Sequence, residues 1–461
     1  MVCNKIENLQ IAYIGGGSMN WAWELMGDLA LEPQLSGVVR LYDINFGAAK
    51  SNEIIGNSLK DDPAACGKWE YRAEAAIEDA LQGADFVVIS ILPGTFDEME
   101  SDVHAPEKYG IYQSVGDTVG PGGIVRAMRT IPMYIKIAEA IKAYCPSAWV
   151  INYTNPMSVC TGTLYKIFPD IKAFGCCHEV FHAQALMAKM LETECGLENI
   201  GRTEIKLNVL GVNHFTWITR ASYKTIDLMP VFKDFADKYA AEGFALSDGD
   251  RDKNNFFRNM NKVCFDLYRR YGAIPSAGDR HIAEFMPPWY LKNPETVGQW
   301  GFELTPVSWR KNALAAKIKK SARIVSGAEK FNIAKSGEEG TAQMKALLGL
   351  SGELFTNVNI PNIGQADGLP AGAVVETNAV FGKNCARPVF AGRLPDAVNM
   401  IVAKHAANQQ LLIDACVKRD AGLAFNVFLN DNLVTTDVKD AELLFAEMCE
   451  NTKKYLRDWE F

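Results

Sequence analysis

The stretch from Leu9 to Gly17 reads Leu-Gln-Ile-Ala-Tyr-Ile-Gly-Gly-Gly, an apolar run that ends abruptly in a glycine turn. The residues from Met19 to Leu31 that follow are compatible with a helix, so the chain opens on a strand, a tight turn and a helix. Gly15 and Gly17 stand at the first two positions of a G-x-G-x-x-G fingerprint, and Asn20 stands at the third, where close packing of helix on strand usually selects Gly or Ala. The second apolar run, Val38 to Asp43, ends in a carboxylate. It falls within the roughly 20 to 30 residues past the turn at which a ribose-binding acid is expected. An acid there repels a 2'-phosphate, so the pattern predicts NAD rather than NADP. Gly15, Gly17, Ser18 and Asp43 are the expected cofactor contacts, with Pro93 and Asn152 joining them from later strand ends.

The rhythm continues. Asp85 to Ile91 is an apolar run left through Pro93-Gly94, and Ala148 to Asn152 leads into the polar turn Tyr153-Thr154-Asn155-Pro156. Between them, Ile131 to Tyr144 has helical spacing, and Ile171 to Gly175 reads as a further strand. Strands alternating with helices imply an α/β fold with a Rossmann-like, doubly wound parallel sheet, whose ligands sit beyond the carboxyl ends of its strands. After about residue 190 the pattern changes to a mixture of strands and helices. The reading is therefore a cofactor domain over 1–190 and a second α+β domain over 191–461 for substrate, metal and oligomer contacts.

Composition narrows the function classes. A net charge of -8 over 461 residues with no polybasic block leaves no electrostatic footprint for nucleic acid. No apolar run approaches the ~20 residues of a membrane span, and the first ten residues carry no secretory apolar segment. Eleven cysteines, Cys3 among them, are odd in number and mostly set in apolar runs. Free thiols in a reducing cytoplasm fit that pattern better than disulfides do.

The densest chemistry lies in Gly175-Cys176-Cys177-His178-Glu179-Val180-Phe181-His182. His178-Glu179-x-x-His182 matches the zinc-peptidase motif, but no third ligand or peptidase setting supports it. Gly211-Val212-Asn213-His214 reads as a turn projecting an imidazole, and Ala277-Gly278-Asp279-Arg280-His281 as a second loop rich in reactive side chains.

Together with Gly116-Asp117-Thr118-Val119-Gly120, Arg126-Ala127-Met128-Arg129, Asn152-Tyr153-Thr154-Asn155-Pro156 and Gly392-Arg393-Leu394-Pro395, these motifs, in this order, resemble glycoside hydrolase family 4. Such enzymes depart from the usual two-carboxylate hydrolysis of glycosides. The resemblance implies a fold akin to the lactate and malate dehydrogenases with the family's own C-terminal architecture. It also implies NAD and a divalent metal, usually manganese, as cofactors. Hydride leaves C3 of the sugar, a base removes the proton at C2, the aglycone is eliminated, water adds and the hydride returns.

On that resemblance Cys177 and His214 are the metal ligands, Asp279 is the base, and Asp117 or His178 is the proton donor to the leaving group. Asn155, Glu179, Arg126, Arg280 and His281 are the sugar contacts. The Cys-His-Glu-Val variant resembles the branch associated with α-galacturonides, and arginine forks suit a uronate carboxylate. Neutral α-glucosides or α-galactosides are the alternative substrates, and a net dehydrogenase of the malate or lactate type is the alternative of another class. The resemblance further implies a homodimer or homotetramer acting on a small-molecule glycoside.

Overall fold

A computed structural model describes residues 5–459. Six strands form its parallel half: β1 (Ile6–Ile14), β2 (Leu35–Tyr42), β3 (Lys68–Glu74), β4 (Phe86–Ile89), β5 (Trp149–Asn152) and β6 (Lys172–Gly175). Their order across the sheet is 3-2-1-4-5-6, and every neighbouring pair is parallel. The order reverses between β1 and β4, the switch point beyond which doubly wound sheets bind ligands. The strand β3 carries Lys68, Glu70, Arg72 and Glu74 in alternation with buried Trp69 and Tyr71. It is an edge strand with one face in water, which is why no continuous apolar run marks it.

The sheet does not end at β6. Asn359 of the strand Leu354–Pro361 pairs antiparallel with Gly175. Beyond it lie Val374–Gly382, then β7 (Ile205–Val212) and β8 (Phe215–Tyr223), all antiparallel. The α+β half thus continues the parallel half as one 13-stranded sheet. Only two residues, Asn213 and His214, join β7 to β8, and His214 takes a left-handed backbone with φ of 64°. Non-glycine residues seldom adopt that conformation, and two-residue hairpins demand it.

Among the described residues no helix is long and apolar enough to cross a membrane. All ten described cysteines are free. Cys66, in a surface loop, and Cys195, the last residue of the helix Glu179–Cys195, are exposed rather than set in the core; Cys3 lies outside the described residues.

The helix Gly120–Tyr144 packs under the carboxyl edge and carries a buried ion pair. The Arg129 guanidinium forks onto both oxygens of Asp102, one at 2.9 Å, while its Nε–H donates to the Pro93 carbonyl at 2.8 Å. Both side chains are essentially out of solvent, so loss of one partner leaves the other charge buried and unmatched. Asp102→Asn is expected to lower unfolding free energy by about 3–5 kcal/mol, read from the midpoint of a urea melt. An unchanged midpoint contradicts this.

Candidate active site

The glycine turn after β1 is fixed by local sterics. Gly15 has φ of +94°, and a Cβ there would stand 2.0 Å from the Ser90 carbonyl oxygen. Only glycine allows β1 to pass that close to β4. The Gly17 N–H donates to Asp43 Oδ2 at 2.9 Å, so the acid at the end of β2 also braces the turn. The Ser18 N–H donates to the Gly15 carbonyl, and the helix Trp21–Ala30 starts without a side-chain cap. Its first N–H groups are therefore free for an anion. Pro93 lies at the end of β4, with its carbonyl already engaged by Arg129. Asn152 is fully buried: its Oδ1 accepts from Tyr134 Oη and the Thr154 N–H, and its Nδ2 donates to Thr154 and Thr161. It shapes the turn after β5 from within.

A cluster of ionisable groups gathers beyond β5 and β6. Thr118 Oγ1 donates its one proton to Asp117 Oδ1 at 2.7 Å and stands 2.8 Å from His214 Nδ1. His214 must then donate from Nδ1, which leaves the Nε2 lone pair for an electrophile. Burial first, then the neighbouring His281, pushes the His214 imidazolium down to about 3. His214 is accordingly neutral at physiological pH and fit to be a ligand. Its ring lies 4.1 Å from that of His281, whose Nε2 is 3.4 Å from Glu179 Oε1. Glu179 Oε2 accepts the Gly278 N–H at 2.8 Å. Burial raises the Asp117 carboxyl, but His214, Arg126 and His281 outweigh it and hold it down at about 2. Asn155 Nδ2 reaches Asp117 at 3.5 Å, and its Oδ1 is buried without a partner. Arg126 donates to the Asn155 carbonyl.

Cys177 follows β6 and is buried, and burial with the Glu376 and Glu179 carboxyls pushes its thiol well up. A thiolate there needs a cation against it. The neighbouring Cys176 turns into the core and contacts Gln343. Among the described residues no set of three or more His, Cys, Asp or Glu side chains is arranged to hold a metal. Soft sulfur, a neutral imidazole and the unpartnered buried Oδ1 atoms of Asn155 and Asn213 nevertheless suit a metal completed by substrate oxygens.

His178 sits at the rim with half its side chain exposed, and its bond to Glu338 raises its pKa. His182, one turn into the helix, is held between Asn261 and Asn259, whereas His178 bonds Glu338. Asp279 is fully buried. Its carboxylate accepts the N–H groups of Val263 and Cys264 and caps the helix Lys262–Tyr271, while burial raises its pKa to about 6. Arg280 is buried, donating to the Ser114 carbonyl and to Thr305.

Residues 10–193 match the family described as Family 4 glycosyl hydrolase, and residues 209–434 match its C-terminal domain. The chain belongs to glycosyl hydrolase family 4. Relatives named alpha-galacturonidase match at 51–60% identity. That of Thermoanaerobacterium saccharolyticum is 60% identical over 99% of this chain and 98% of its own. The crystal structure of lplD from Bacillus subtilis superposes with a TM-score of 0.91 at 52% identity, covering 96% of this chain and all of that one. A 6-phospho-alpha-glucosidase from gut microorganisms, in complex with NAD and Mn2+, has a TM-score of 0.78 at 18% identity, over 99% of this chain and all of its own. It shares the family 4 fold.

Two buried carboxylates were not anticipated in a functional role. Glu376 takes hydrogen bonds from Asn357 and Asn213 and is raised by burial to about 7. Its signal in the sequence was a lone acid inside the apolar strand Val374-Val375-Glu376-Thr377. Glu284 accepts the N–H groups of Val115 and Gly116, holding the loop that carries Asp117, and burial raises it to about 8. Between its ordinary value and about 8 the folded state holds a proton that the unfolded state has released. Stability from this group is full below the unfolded value and is lost as pH rises through about 8. Melting temperature should therefore fall from pH 5 to 8, and Glu284→Gln should flatten that slope. Asp279 and Glu376 titrate in the same sense and leave a remainder. An equal slope in both proteins refutes the assignment.

Proposed function

We propose that this family 4 enzyme hydrolyses α-D-galacturonides with NAD and a divalent metal, manganese in first place. The observation that carries the substrate is the match along nearly the whole chain to relatives named alpha-galacturonidase. The dinucleotide is supported by the cradle at Gly15, the uncapped helix at Trp21 and the acid at Asp43. The metal is supported by the donor chemistry of Cys177 and His214. Bound, NAD supplies a hydride acceptor and donor, and the metal an electrophile for sugar oxygens.

The remaining work belongs to the protein's own groups. Asn155 and Arg126 orient sugar hydroxyls, and Asp117 fixes the His214 tautomer through Thr118. Asp117, held ionised, is an acceptor. His178, whose proton is stabilised by Glu338, is the better donor to a leaving group. Both Asp279 oxygens are engaged by backbone N–H groups. We assign proton removal at C2 to His281, whose imidazolium is pushed down by burial and whose ring stands beside Glu179, with Asp279 the alternative base. The free thiols support a reducing, cytoplasmic setting. We retain the division at residue 190 and a homodimer or homotetramer as parts of this reading.

The reading is tested with p-nitrophenyl α-galacturonide and α-glucoside, each with and without NAD, Mn2+ and a thiol reductant. Nitrophenol is expected from the galacturonide only when all three are present, and Cys177→Ser should abolish the metal response. Release without NAD would sink the oxidative route. A second comparison separates proton transfer from scaffolding. His281→Gln is expected to lower kcat about 100-fold or more with the fold intact, whereas Asp279→Asn should lower the melting temperature and leave kcat within an order of magnitude. The reverse pattern returns the base to Asp279.

A further inference from the structure

The polar groups around Cys177 and His214 serve the reacting carbons of a sugar, and a second concentration of charge lies beside them. The helix Val307–Val325 carries Arg310 in its first turn. The Arg310 guanidinium lies 5.9 Å and 6.0 Å from the ring centres of Phe256 and Phe257. That of Arg280 lies 5.2 Å and 5.3 Å from the same two rings, which are themselves 4.0 Å apart. One pair of aromatic faces thus holds two cations.

Among the described residues neither guanidinium has a carboxylate hydrogen-bonded to it. The Nε–H of each is buried with no acceptor, although Arg280 is more than nine-tenths buried as a whole. The remaining partners of Arg280, the Ser114 carbonyl and the Thr305 hydroxyl, are neutral. Aromatic faces offset part of the repulsion between two like charges, but they accept no hydrogen bond in the plane of the fork. An anion with planar oxygens supplies both the charge and the acceptors. Glu284, then Glu179 and Asp117, act electrostatically on Arg280, and Asp117 acts on Arg310, so the pair lies beside the reaction cluster and not on a remote surface.

We infer that Arg280 and Arg310, covered by Phe256 and Phe257, form the seat for the C6 carboxylate of a uronide, with Arg310 the residue that separates uronides from neutral sugars. The inference rests on the galacturonide reading of the site. A neutral hydroxymethyl group in this seat leaves two buried N–H donors unsatisfied and two cations without a directly paired anion, which penalises glucosides and galactosides. Phosphates of the dinucleotide are a competing occupant. Lys317, seven residues further along the same helix, bonds Asn20 of the glycine turn. Two helical turns, about 10 Å, therefore separate Arg310 from the contact nearest that turn.

The test uses the full-length enzyme with NAD, Mn2+ and reductant, comparing wild type with Arg310→Gln and Arg310→Lys. Arg310→Gln is expected to raise the KM for p-nitrophenyl α-galacturonide by about 10- to 100-fold, with a smaller change in kcat. Arg310→Lys should recover part of the loss, because it keeps the charge and loses the fork. Calorimetric affinity for NAD and for free galactose should stay within about twofold of wild type, which a general collapse of the site would not allow. A galacturonide KM within twofold of wild type in Arg310→Gln overturns the assignment, as does NAD affinity falling as far as sugar affinity. Wild-type enzyme that releases no nitrophenol from the galacturonide overturns the substrate reading itself, and the assignment with it.

Discussion

Glu376 is a carboxyl buried at the seam where the parallel and antiparallel parts of the sheet meet, and the arrangement of the site depends on it. Its two oxygens accept from Asn357 at 2.6 Å and Asn213 at 3.3 Å. Asn357 also donates to the Cys177 carbonyl at 3.2 Å. One acid thereby fixes the segment after β6 against the hairpin that carries His214. Strand register makes this possible: Asn359 pairs with Gly175 on one side, and Glu376 pairs with Gly211 on the other. A one-residue slip would turn these side chains to the opposite face and separate the sulfur from the imidazole.

Electrostatics then sorts the cluster. Water is excluded, so each group keeps its charge only where a partner stabilises it. Asp117 stays ionised beside Arg126, His214 is kept neutral by burial, and the Cys177 thiol is pushed up until a cation approaches. The Oδ1 atoms of Asn155 and Asn213 are buried without a partner in the same part of the fold.

The dinucleotide half was legible because its signals are local. Gly15 is required by a close backbone approach, and Asp43 ends a strand, so both follow from short-range sterics. The edge strand β3 escaped notice because its charged, one-sided alternation resembles a surface loop. The surroundings of Asp279 were hidden for a similar reason. A Gly-Asp-Arg-His run reads as a reactive loop, but the fold brings the start of the helix Lys262–Tyr271 over it, and the carboxylate satisfies backbone N–H groups there. Arg310 gave no signal at all, since a lone arginine in an amphipathic helix is ordinarily solvated.

By itself the sequence determined the βα rhythm, the glycine turn after the first strand and the family. Those features rest on residue type and spacing along one segment. Only the tertiary structure decided which acids face the site and which cap helices, which imidazole tautomer is held, and that two distant arginines share one aromatic pair. These depend on strand register and on burial, which set the distances and the dielectric between groups far apart in the chain.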